Sequence, residues 1–358
     1  MEKVVAGGGS SCALYTDGTV ECWGRNFEGQ LGTGSLVHSL IPVSVPGVST
    51  AVDISAGQFT TCVVLANGTV QCWGQAAEIV SIDERADSAS PVTIPGISNA
   101  IAIGVGLGHV CVILSDDSEV PTQNPVACWG SNFSGQLGNG SNLSSNTPVA
   151  VTGITTATQL SMGANHSCAL LADSTIRCWG NGARGELGNG GTSSNVPVIV
   201  SGLSNVTAIA AGASHTCAAV NNDEVYCWGR NSGGQLGYIG RESDLPIKVN
   251  GVSDAHHLGT SSSTSCAITD DGMSEQVLCW GGNQAGVLGI GDSSIAESVL
   301  PVAVVNLGTI TSLTSYSGHM CALESGDKIK CWGDNEFGSV GNGTSGYSLE
   351  PVTVDVDL

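Results

Sequence analysis

The sequence is built on one unit, in which two cysteines flank a short turn and the second cysteine precedes Trp-Gly. The first copy reads CALYTDGTVECWG and spans residues 12–24. The Cys-Trp-Gly triplet returns at intervals of 49 to 56 residues. All seven tryptophans of the chain occupy it: Trp23, Trp73, Trp129, Trp179, Trp228, Trp280 and Trp332. A chain that repeats one unit about every 51 residues is expected to fold as an array of similar structural elements.

Each unit contains four short strand-like pieces. In residues 204–251 they are VTAIAAG, TCAAV, EVYCWG and PIKV. The 51 glycines and the low share of charged residues, 11%, favour strands and tight turns over helices. We therefore predict an all-β fold, a single seven-bladed β-propeller over residues 1–358 with four-stranded antiparallel blades. The repeat hairpins are expected near residues 12–24, 62–74, 111–130, 168–180, 217–229, 266–281 and 321–333.

The cysteines are expected to pair within these hairpins. A three-residue loop at residues 16–18 puts Gly18 in the left-handed position of a bulged turn and Cys12 directly opposite Cys22. Opposed side chains have Cβ atoms about 4.5–5.5 Å apart, so a disulfide needs only a small adjustment. Zinc sites favour close-spaced ligands such as C-x2-C, a spacing absent from the sequence. The predicted disulfides are Cys12–Cys22, Cys62–Cys72, Cys111–Cys128, Cys168–Cys178, Cys217–Cys227, Cys266–Cys279 and Cys321–Cys331.

Paired cysteines also predict where the protein is found. Disulfides persist in oxidising compartments, so we expect an extracellular or cell-surface protein whose signal peptide has been removed. Each Trp neighbours a Cys along a strand, so the two side chains point to opposite sides of the blade. We expect the tryptophan of one blade to meet the disulfide of the adjacent blade between the two sheets.

Loop lengths predict the order of strands within a blade. The Pro-Val strand at residues 42–45 is joined to the next strand by about five residues, whereas a long segment containing GQLG follows the Cys-Trp-Gly strand. We expect the long segment to cross between blades, with the Pro-Val strand innermost and the Cys-Trp-Gly strand outermost. A C-terminal strand at residues 351–356 would then pair with the N-terminal segment and close the ring.

The repeated string resembles a known family. Three motifs of the repeated unit together are similar to the regulator of chromosome condensation repeat, which forms seven-bladed propellers. They are G-x-x-H-T/S-C-A, D-G-x-V-x-C-W-G-x-N-x-x-G-Q-L-G-x-G and P-V-x-V. The resemblance covers essentially the whole chain, with GQLG at residues 29–32, 135–138 and 234–237 and a missing copy in repeat 2. The glycines of this element are expected to take positive φ in a tight loop, with its leucine anchored between blades. The paired cysteines depart from cytosolic and nuclear members and resemble an exported branch.

Composition argues against several classes of function. The net charge of −21, from 31 acidic and 10 basic residues, argues against nucleic acid, which requires clustered Lys and Arg. No run approaches the roughly 18 apolar residues of a membrane span. No nucleophile elbow, HExxH motif or isolated carboxylate pair stands out. We therefore expect no enzyme activity, no catalytic residue, no cofactor and no metal.

The histidines follow the repeat. Four of them stand two residues before the first cysteine of their unit: His109, His166, His215 and His319. We interpret this regular array as turn residues hydrogen-bonded to backbone, because a catalytic site uses one special copy. The pair His256-His257 breaks the pattern and is interpreted as a local substitution, since no third metal ligand is nearby.

Partner binding is expected where the repeats depart from the average. The hairpins of repeats 3 and 6 are lengthened around residues 115–127 and 270–276, and the crossing loops at residues 76–90 and 238–244 are the least regular. The candidate partner-binding residues in these loops are Glu78, Asp83, Glu84, Arg85, Asp116, Asp117, Glu119, Tyr238, Arg241 and Asp271.

The preferred function is a non-enzymatic interaction propeller that binds a protein or a surface glycan, or assembles with itself, through one face. The first alternative is a secreted enzyme inhibitor resembling the β-lactamase inhibitory propellers, for which a patch of exposed aromatics would argue. Phe27, Phe133 and Phe337 share one motif position and form either such a ring or caps of the loop, and we expect caps. A second alternative, a GTPase exchange factor using the repeat-3 insertion, conflicts with an exported protein.

Overall fold

The computed structural model describes residues 1–75, 87–116, 123–221, 224–270 and 275–356. Within these ranges the chain forms seven antiparallel sheets of four strands each, arranged as the blades of a propeller. A 3-10 turn at Gln284–Gly286 is the one helical element of the described ranges, and none of their helices is long and apolar enough to span a bilayer. The predicted fold class is confirmed.

The strands of blades 1 to 4 have the following bounds: β1 (Lys3–Ala6), β2 (Ser10–Leu14), β3 (Val20–Gly24), β4 (Ser39–Ser44), β5 (Ala51–Ala56), β6 (Thr60–Leu65), β7 (Val70–Gly74), β8 (Ser88–Ile94), β9 (Ala100–Val105), β10 (His109–Leu114), β11 (Val126–Gly130), β12 (Ser145–Ala150), β13 (Ala157–Met162), β14 (His166–Leu171), β15 (Ile176–Gly180) and β16 (Ser194–Ile199). Those of blades 5 to 7 are β17 (Val206–Ala211), β18 (His215–Val220), β19 (Glu224–Gly229), β20 (Ser243–Lys248), β21 (Ala255–Thr260), β22 (Thr264–Asp270), β23 (Glu275–Gly282), β24 (Glu297–Ala303), β25 (Ile310–Tyr316), β26 (His319–Glu324), β27 (Lys328–Gly333) and β28 (Ser348–Thr353).

The second and third strands of each blade form the predicted hairpin. In blade 1, Gly18 has φ 81° and donates its N–H to the Tyr15 carbonyl at 2.9 Å, and Cys12 lies opposite Cys22. All seven predicted disulfides are present, and no free cysteine occurs among the described residues. Such a set of disulfides points to an oxidising, extracellular or secreted setting.

The order of strands across a blade differs from the prediction. The first strand of each blade is innermost, where β1, β5, β9 and their equivalents line a central cavity of about 200 Å³. The Pro-Val strand is the fourth and outermost, and the Cys-Trp-Gly strand is third. Pro42 has no N–H to donate, which suits an edge strand and not a central one.

Loop length misled the prediction for a physical reason. Residues 45–50 connect the outermost strand of blade 1 to the innermost strand of blade 2. Six extended residues reach about 20 Å, enough to cross three strand spacings of about 4.8 Å. The long GQLG segment stays within its own blade, between the third and fourth strands.

The predicted strand exchange at the ring closure is wrong. The strand at Ser348–Thr353 pairs with β27 of its own blade, and β1 pairs with β2, because the chain consists of whole blades. The terminal blades meet by side-chain packing, in which Val4 and Trp23 share one cluster with Val354. The N-terminal amino group also bonds the Asp327 carboxylate at 2.7 Å.

The glycine after each tryptophan forms a β-bulge. Pairing of β3 with β4 shifts register between Cys22 and Gly24, and Gly24 has φ 99°. A Cβ at this position would lie 2.4 Å from the Gly9 carbonyl oxygen, so only glycine fits. One further pair, Gly24 with Ser39, follows the bulge before the long loop begins.

Candidate interaction surface

The two faces of the propeller carry different connections. We call the loop face the one that holds the links from first to second strand and the long GQLG loops from third to fourth strand. The hairpin face holds the turns between second and third strands and the links between successive blades. These two names separate the candidate surfaces.

One buried asparagine organises the GQLG loop of blade 1. The Asn26 side-chain oxygen accepts from the Leu31 N–H at 2.9 Å, and its amide donates to the carbonyls of Ser35 and Val37 at 2.9 Å each. Equivalent asparagines make the corresponding bonds in other blades: Asn132, Asn231, Asn283 and Asn335. The sequence prediction missed this role, although in these five blades an Asn stands five residues before the Leu or Val of the loop.

The same loop is held by the following blade. The Gln30 carbonyl accepts from Trp73 Nε1 at 2.9 Å and from Thr61 Oγ1 at 3.1 Å, both in blade 2. Leu31 is fully buried in one cluster with Trp73 and the Cys12–Cys22 disulfide of blade 1. Each of the other tryptophans likewise packs in one cluster with the disulfide of the preceding blade, and Trp23 packs with Cys321–Cys331.

The four array histidines also join successive blades. Nε2 of His109 lies 2.9 Å from Ser167 Oγ in the next blade, and Ser167 Oγ donates to the Gln136 carbonyl at 2.9 Å. Because the serine proton is used there, the histidine Nε2 must be the protonated, donating nitrogen. The same chain of bonds recurs from His166, His215 and His319. The predicted backbone partner is therefore wrong: the partner is a hydroxyl of the next blade.

Burial keeps these imidazoles neutral. Desolvation lowers the pKa of His109 and His215 to about 3, and that of His166 and His319 to about 4. A second ring proton would charge a fully buried group. The histidine array therefore has a structural role, in which each imidazole links one blade to the next.

On the loop face, three of the four phenylalanines of the chain converge. Phe27 of blade 1 contacts Phe337 of blade 7 edge to face, with ring centroids 5.5 Å apart, and His38 lies 4.2 Å from Phe27. The Arg25 guanidinium lies 5.1 Å from the Phe27 centroid and 4.7 Å from that of Phe59 in blade 2. We call these five residues the aromatic arc; it spans blades 7, 1 and 2.

The arc is open to solvent and has an apolar border. Phe27 is 53% exposed, and Leu36 and Val37 in the same loop are 56% and 74% exposed. The Asn26 N–H donates to His38 Nδ1 at 2.8 Å, and burial together with Arg25 lowers the pKa of His38. The arc therefore consists of four neutral rings and one cation, Arg25, which pairs with Glu28 at 2.7 Å.

Phe133 shares the motif position of Phe27 but not its surroundings. It is 79% exposed in blade 3, so it does not cap its loop as the sequence prediction expects. Phe27 and Phe337 do pack together. Ring closure, which brings blade 7 beside blade 1, makes this difference.

The predicted partner-binding residues do not form one site. Seven lie outside the described residues: Glu78, Asp83, Glu84, Arg85, Asp117, Glu119 and Asp271. Asp116 follows β10 on the hairpin face, partly buried. Tyr238 and Arg241 lie in the blade 5 loop on the loop face, so the structure separates them from Asp116.

Side-chain hydrogen bonds and an ion pair beside the central cavity join the inner strands of different blades. Lys3 Nζ pairs with Asp53 Oδ1 at 2.6 Å, and Asp53 Oδ2 accepts from the Ile103 N–H at 2.9 Å. His257 Nε2 donates to the Leu313 carbonyl at 3.1 Å, which links blades 6 and 7. Across the described ranges no group of three or more His, Cys, Asp or Glu side chains is placed to hold a metal ion.

Comparison with known families identifies the repeat. The pattern described as "Regulator of chromosome condensation (RCC1) repeat" matches residues 17–64, 126–170, 176–219 and 222–268, over half of the chain. A second pattern of the same description matches residues 2–30, 157–186, 206–235 and 310–339.

Solved structures share the fold at low sequence identity. Yeast RCC1 (Prp20), crystallised bound to Kap60, has a TM-score of 0.81 at 19% identity, covering 96% of this chain and 85% of that one. Prp20p from Saccharomyces cerevisiae, described with its binding to Gsp1p and histones, has 0.80 at 20%, covering 96% and 87%. The CRINKLY WD40 ectodomain of the Arabidopsis thaliana receptor kinase ACR4 has 0.58 at 18%, covering 92% and 96%. At these identities the likeness is one of fold.

Proposed function

We propose that this chain, which belongs to the regulator of chromosome condensation repeat family, is a non-enzymatic propeller that binds a partner protein on its loop face, outside the cell or at its surface. The aromatic arc is the observation that carries the proposal. Protein interfaces concentrate their binding energy in aromatic and arginine side chains surrounded by apolar contacts. The arc brings Phe27, Phe59, Phe337 and Arg25 together in a chain with only four phenylalanines.

The rigidity of the loop face supports the proposal. The loop that presents Phe27 is fixed by Asn26 from within and by Trp73 and Thr61 of the next blade. A surface ordered before binding loses less conformational entropy when a partner docks. The arc is therefore suited to rigid recognition.

Two comparisons are consistent with this function. Yeast RCC1 is a propeller of the same fold that binds the protein Kap60. The ACR4 domain is an ectodomain of a receptor kinase, in agreement with the setting that seven disulfides favour for this chain.

A secreted enzyme inhibitor is the second candidate. The observation that favours it is the same arc, because an exposed aromatic patch suits insertion into an enzyme cleft. The two candidates differ in the identity of the partner, an enzyme in one case and a surface protein in the other.

Site-specific photo-cross-linking tests the proposal. A benzophenone amino acid replaces Phe27 in one variant and Phe133, the matched exposed phenylalanine of blade 3, in another. Each variant is added to intact native cells. We expect a discrete partner protein cross-linked at position 27 and competed away by unlabelled wild-type protein. Equal labelling from both positions, or labelling that wild-type protein does not compete, would refute the arc as the binding surface. An enzyme as the partner would establish the second candidate.

The oxidising setting of the protein is tested separately, by mass-spectrometric peptide mapping of native protein without reduction. We expect seven hairpin peptides, each internally cross-linked, and no thiol that reacts with an alkylating reagent. Free thiols at Cys12 and Cys22 in native protein would contradict an oxidising compartment.

A further inference from the structure

Three arginines of the loop face line one groove, far from the aromatic arc in chain order. Arg184 of blade 4 and Arg230 and Arg241 of blade 5 surround a groove of about 340 Å³ together with Ser232 and Glu242. The chain has only 10 basic residues and a net charge of −21. A local excess of guanidinium groups in so acidic a protein calls for an explanation.

The groove leaves hydrogen-bond donors unused. Arg184 pairs with Glu242 at 3.1 Å, and the two side chains are 51% and 46% exposed. Arg230 Nε donates to Ser232 Oγ at 2.8 Å, which orients the guanidinium. Its two terminal nitrogens have no partner among the described residues and can bond a further ligand. No ion pair of Arg241 occurs among the described residues. Among the residues that line the groove, three guanidinium groups face one carboxylate, and the buried Glu186 carboxylate lies within electrostatic range of Arg184, so the arginines outnumber the acidic groups.

The backbone around the groove is held in place. The Tyr238 hydroxyl donates to the carbonyl of Arg241, and the Asn231 amide donates to the carbonyls of Tyr238 and Gly240 at 3.1 Å each. The arginines thus extend from a fixed loop. Tyr238, a predicted partner-binding residue, serves as a brace for Arg241.

We propose that this groove binds carboxylates of an acidic segment of a partner protein. The planar guanidinium fork matches a carboxylate with two parallel hydrogen bonds. The pair Arg184–Glu242 already shows a protein carboxylate seated on a guanidinium of the groove. At about 0.15 M salt the screening length is about 8 Å, so the local charge of the groove outweighs the distant acidic surface. The inference is independent of the arc, which holds aromatic chemistry on other blades.

The test uses a fluorescent polyglutamate peptide and its polyglutamine counterpart, measured by anisotropy at physiological salt. We expect the polyglutamate to bind and the polyglutamine not to bind. Exposed ion pairs contribute about 0.2–1 kcal/mol, so Arg230→Ala and Arg241→Ala are each expected to raise the Kd by about 1.4- to fivefold. Arg230→Lys, which keeps the charge but loses the fork, should also raise the Kd.

Two control variants make the result specific. Lys328→Ala removes one positive charge from an exposed site on the hairpin face and should leave the Kd unchanged. Phe27→Ala should leave it unchanged as well, so failure of the groove and failure of the arc are distinguishable. The proposal is overturned if polyglutamate binds no better than polyglutamine, or if Lys328→Ala weakens binding as much as the arginine variants. It is also overturned if heparin or inorganic phosphate binds in an arginine-dependent way and polyglutamate does not.

Discussion

At the scale of the residue, one backbone carbonyl carries the contact between blades in each GQLG-type loop that the structure describes. The Gln136 carbonyl accepts from Trp179 Nε1 at 2.8 Å and from Ser167 Oγ, which in turn accepts from His109. The histidine of one blade therefore requires a hydroxyl in the next. Thr60 and Thr264 replace histidine in blades 2 and 6, which precede blades with an apolar residue at the partner position, Val110 and Met320.

Once the order of blades in the ring is known, the dependence of each histidine on a hydroxyl in the next blade can be recognised in the sequence. Blade 1 carries Ser10 although Thr61 follows, and nothing in the structure explains that choice. The sequence prediction recognised the histidines as a structural array but not their partner. The partner lies 50 to 58 residues further along the chain, or near the opposite end of the chain for His319, and the ring geometry brings the two together.

A glycine substitution tests the loop clamp. Gly32 has φ 69°, and a Cβ there would lie 2.8 Å from Trp73 Nε1, whereas Gly47 has φ 84° with no atom within 4 Å of its Cβ. Gly47→Ala carries the left-handed backbone cost of about 1–2 kcal/mol. Gly32→Ala carries that cost and overpacks a buried tryptophan, so it should lower the free energy of unfolding by about 1–3 kcal/mol more. Equal losses in urea denaturation would show that Trp73 does not hold the loop.

At the scale of the element, the predicted hairpin register is correct and the predicted order of strands across the blade is not. The hairpin register follows from turn chemistry, so the sequence predicts the pairing of Cys12 with Cys22 correctly. The predicted radial order of the strands is wrong. Four antiparallel strands joined in series give the same sequence pattern whether the first strand lies at the axis or at the rim. Exposure distinguishes the two directions, and Pro42 in the outer strand was the available signal. The disulfide thus joins two interior strands of the blade and does not protect its edge.

Removal of the loop asparagine tests whether loop order supports binding. Asn26→Ala loses three hydrogen bonds of a buried side chain, at about 1 kcal/mol or more each, without touching the Phe27 side chain. We expect faster hydrogen exchange at the Leu31 amide and weaker capture of the cross-linked partner. Asn67→Ala, at an exposed hairpin turn, is the matched control and should change neither. If Asn26→Ala binds the partner as tightly as wild type, a pre-ordered loop is not needed.

At the scale of the whole molecule, the repeat predicts seven blades but not which blades differ. Seven copies of one motif place equivalent residues on every blade, so Phe27, Phe133 and Phe337 look alike in sequence. The arc arises because blades 7 and 1 are neighbours in the closed ring and Phe59 of blade 2 reaches the same place. The groove of Arg184 and Arg230 likewise unites residues of two blades, while the sequence prediction named only Arg241 and Tyr238.

The neutral histidines predict how stability depends on pH. Their native pKa values of about 3 to 4 lie below the unfolded value of about 6.5, so unfolding binds protons as the pH falls below about 6.5. Each histidine then lowers the free energy of unfolding by up to about 1.4 kcal/mol per pH unit, until the pH nears its native pKa. Burial raises the pKa of Glu186, which opposes the loss at the acidic end.

Urea denaturation between about pH 7 and pH 5 measures this slope. His166→Gln should remove the share of one histidine, so the variant should lose less stability than wild type between these pH values. A stability that stays constant over this range would mean that the array is already charged or exposed in the native state.

The central claim is that the aromatic arc binds the partner, and the affinity of matched phenylalanine variants tests it most directly. The partner identified by cross-linking is immobilised, and wild type, Phe27→Ala and Phe133→Ala are compared by surface plasmon resonance. Loss of a hot-spot aromatic costs about 2 kcal/mol or more, so Phe27→Ala should raise the Kd by more than about tenfold. Phe133→Ala, at a more exposed phenylalanine outside the arc, should leave the Kd within about twofold. Equal effects of the two substitutions, or a larger effect of Phe133→Ala, would contradict the account.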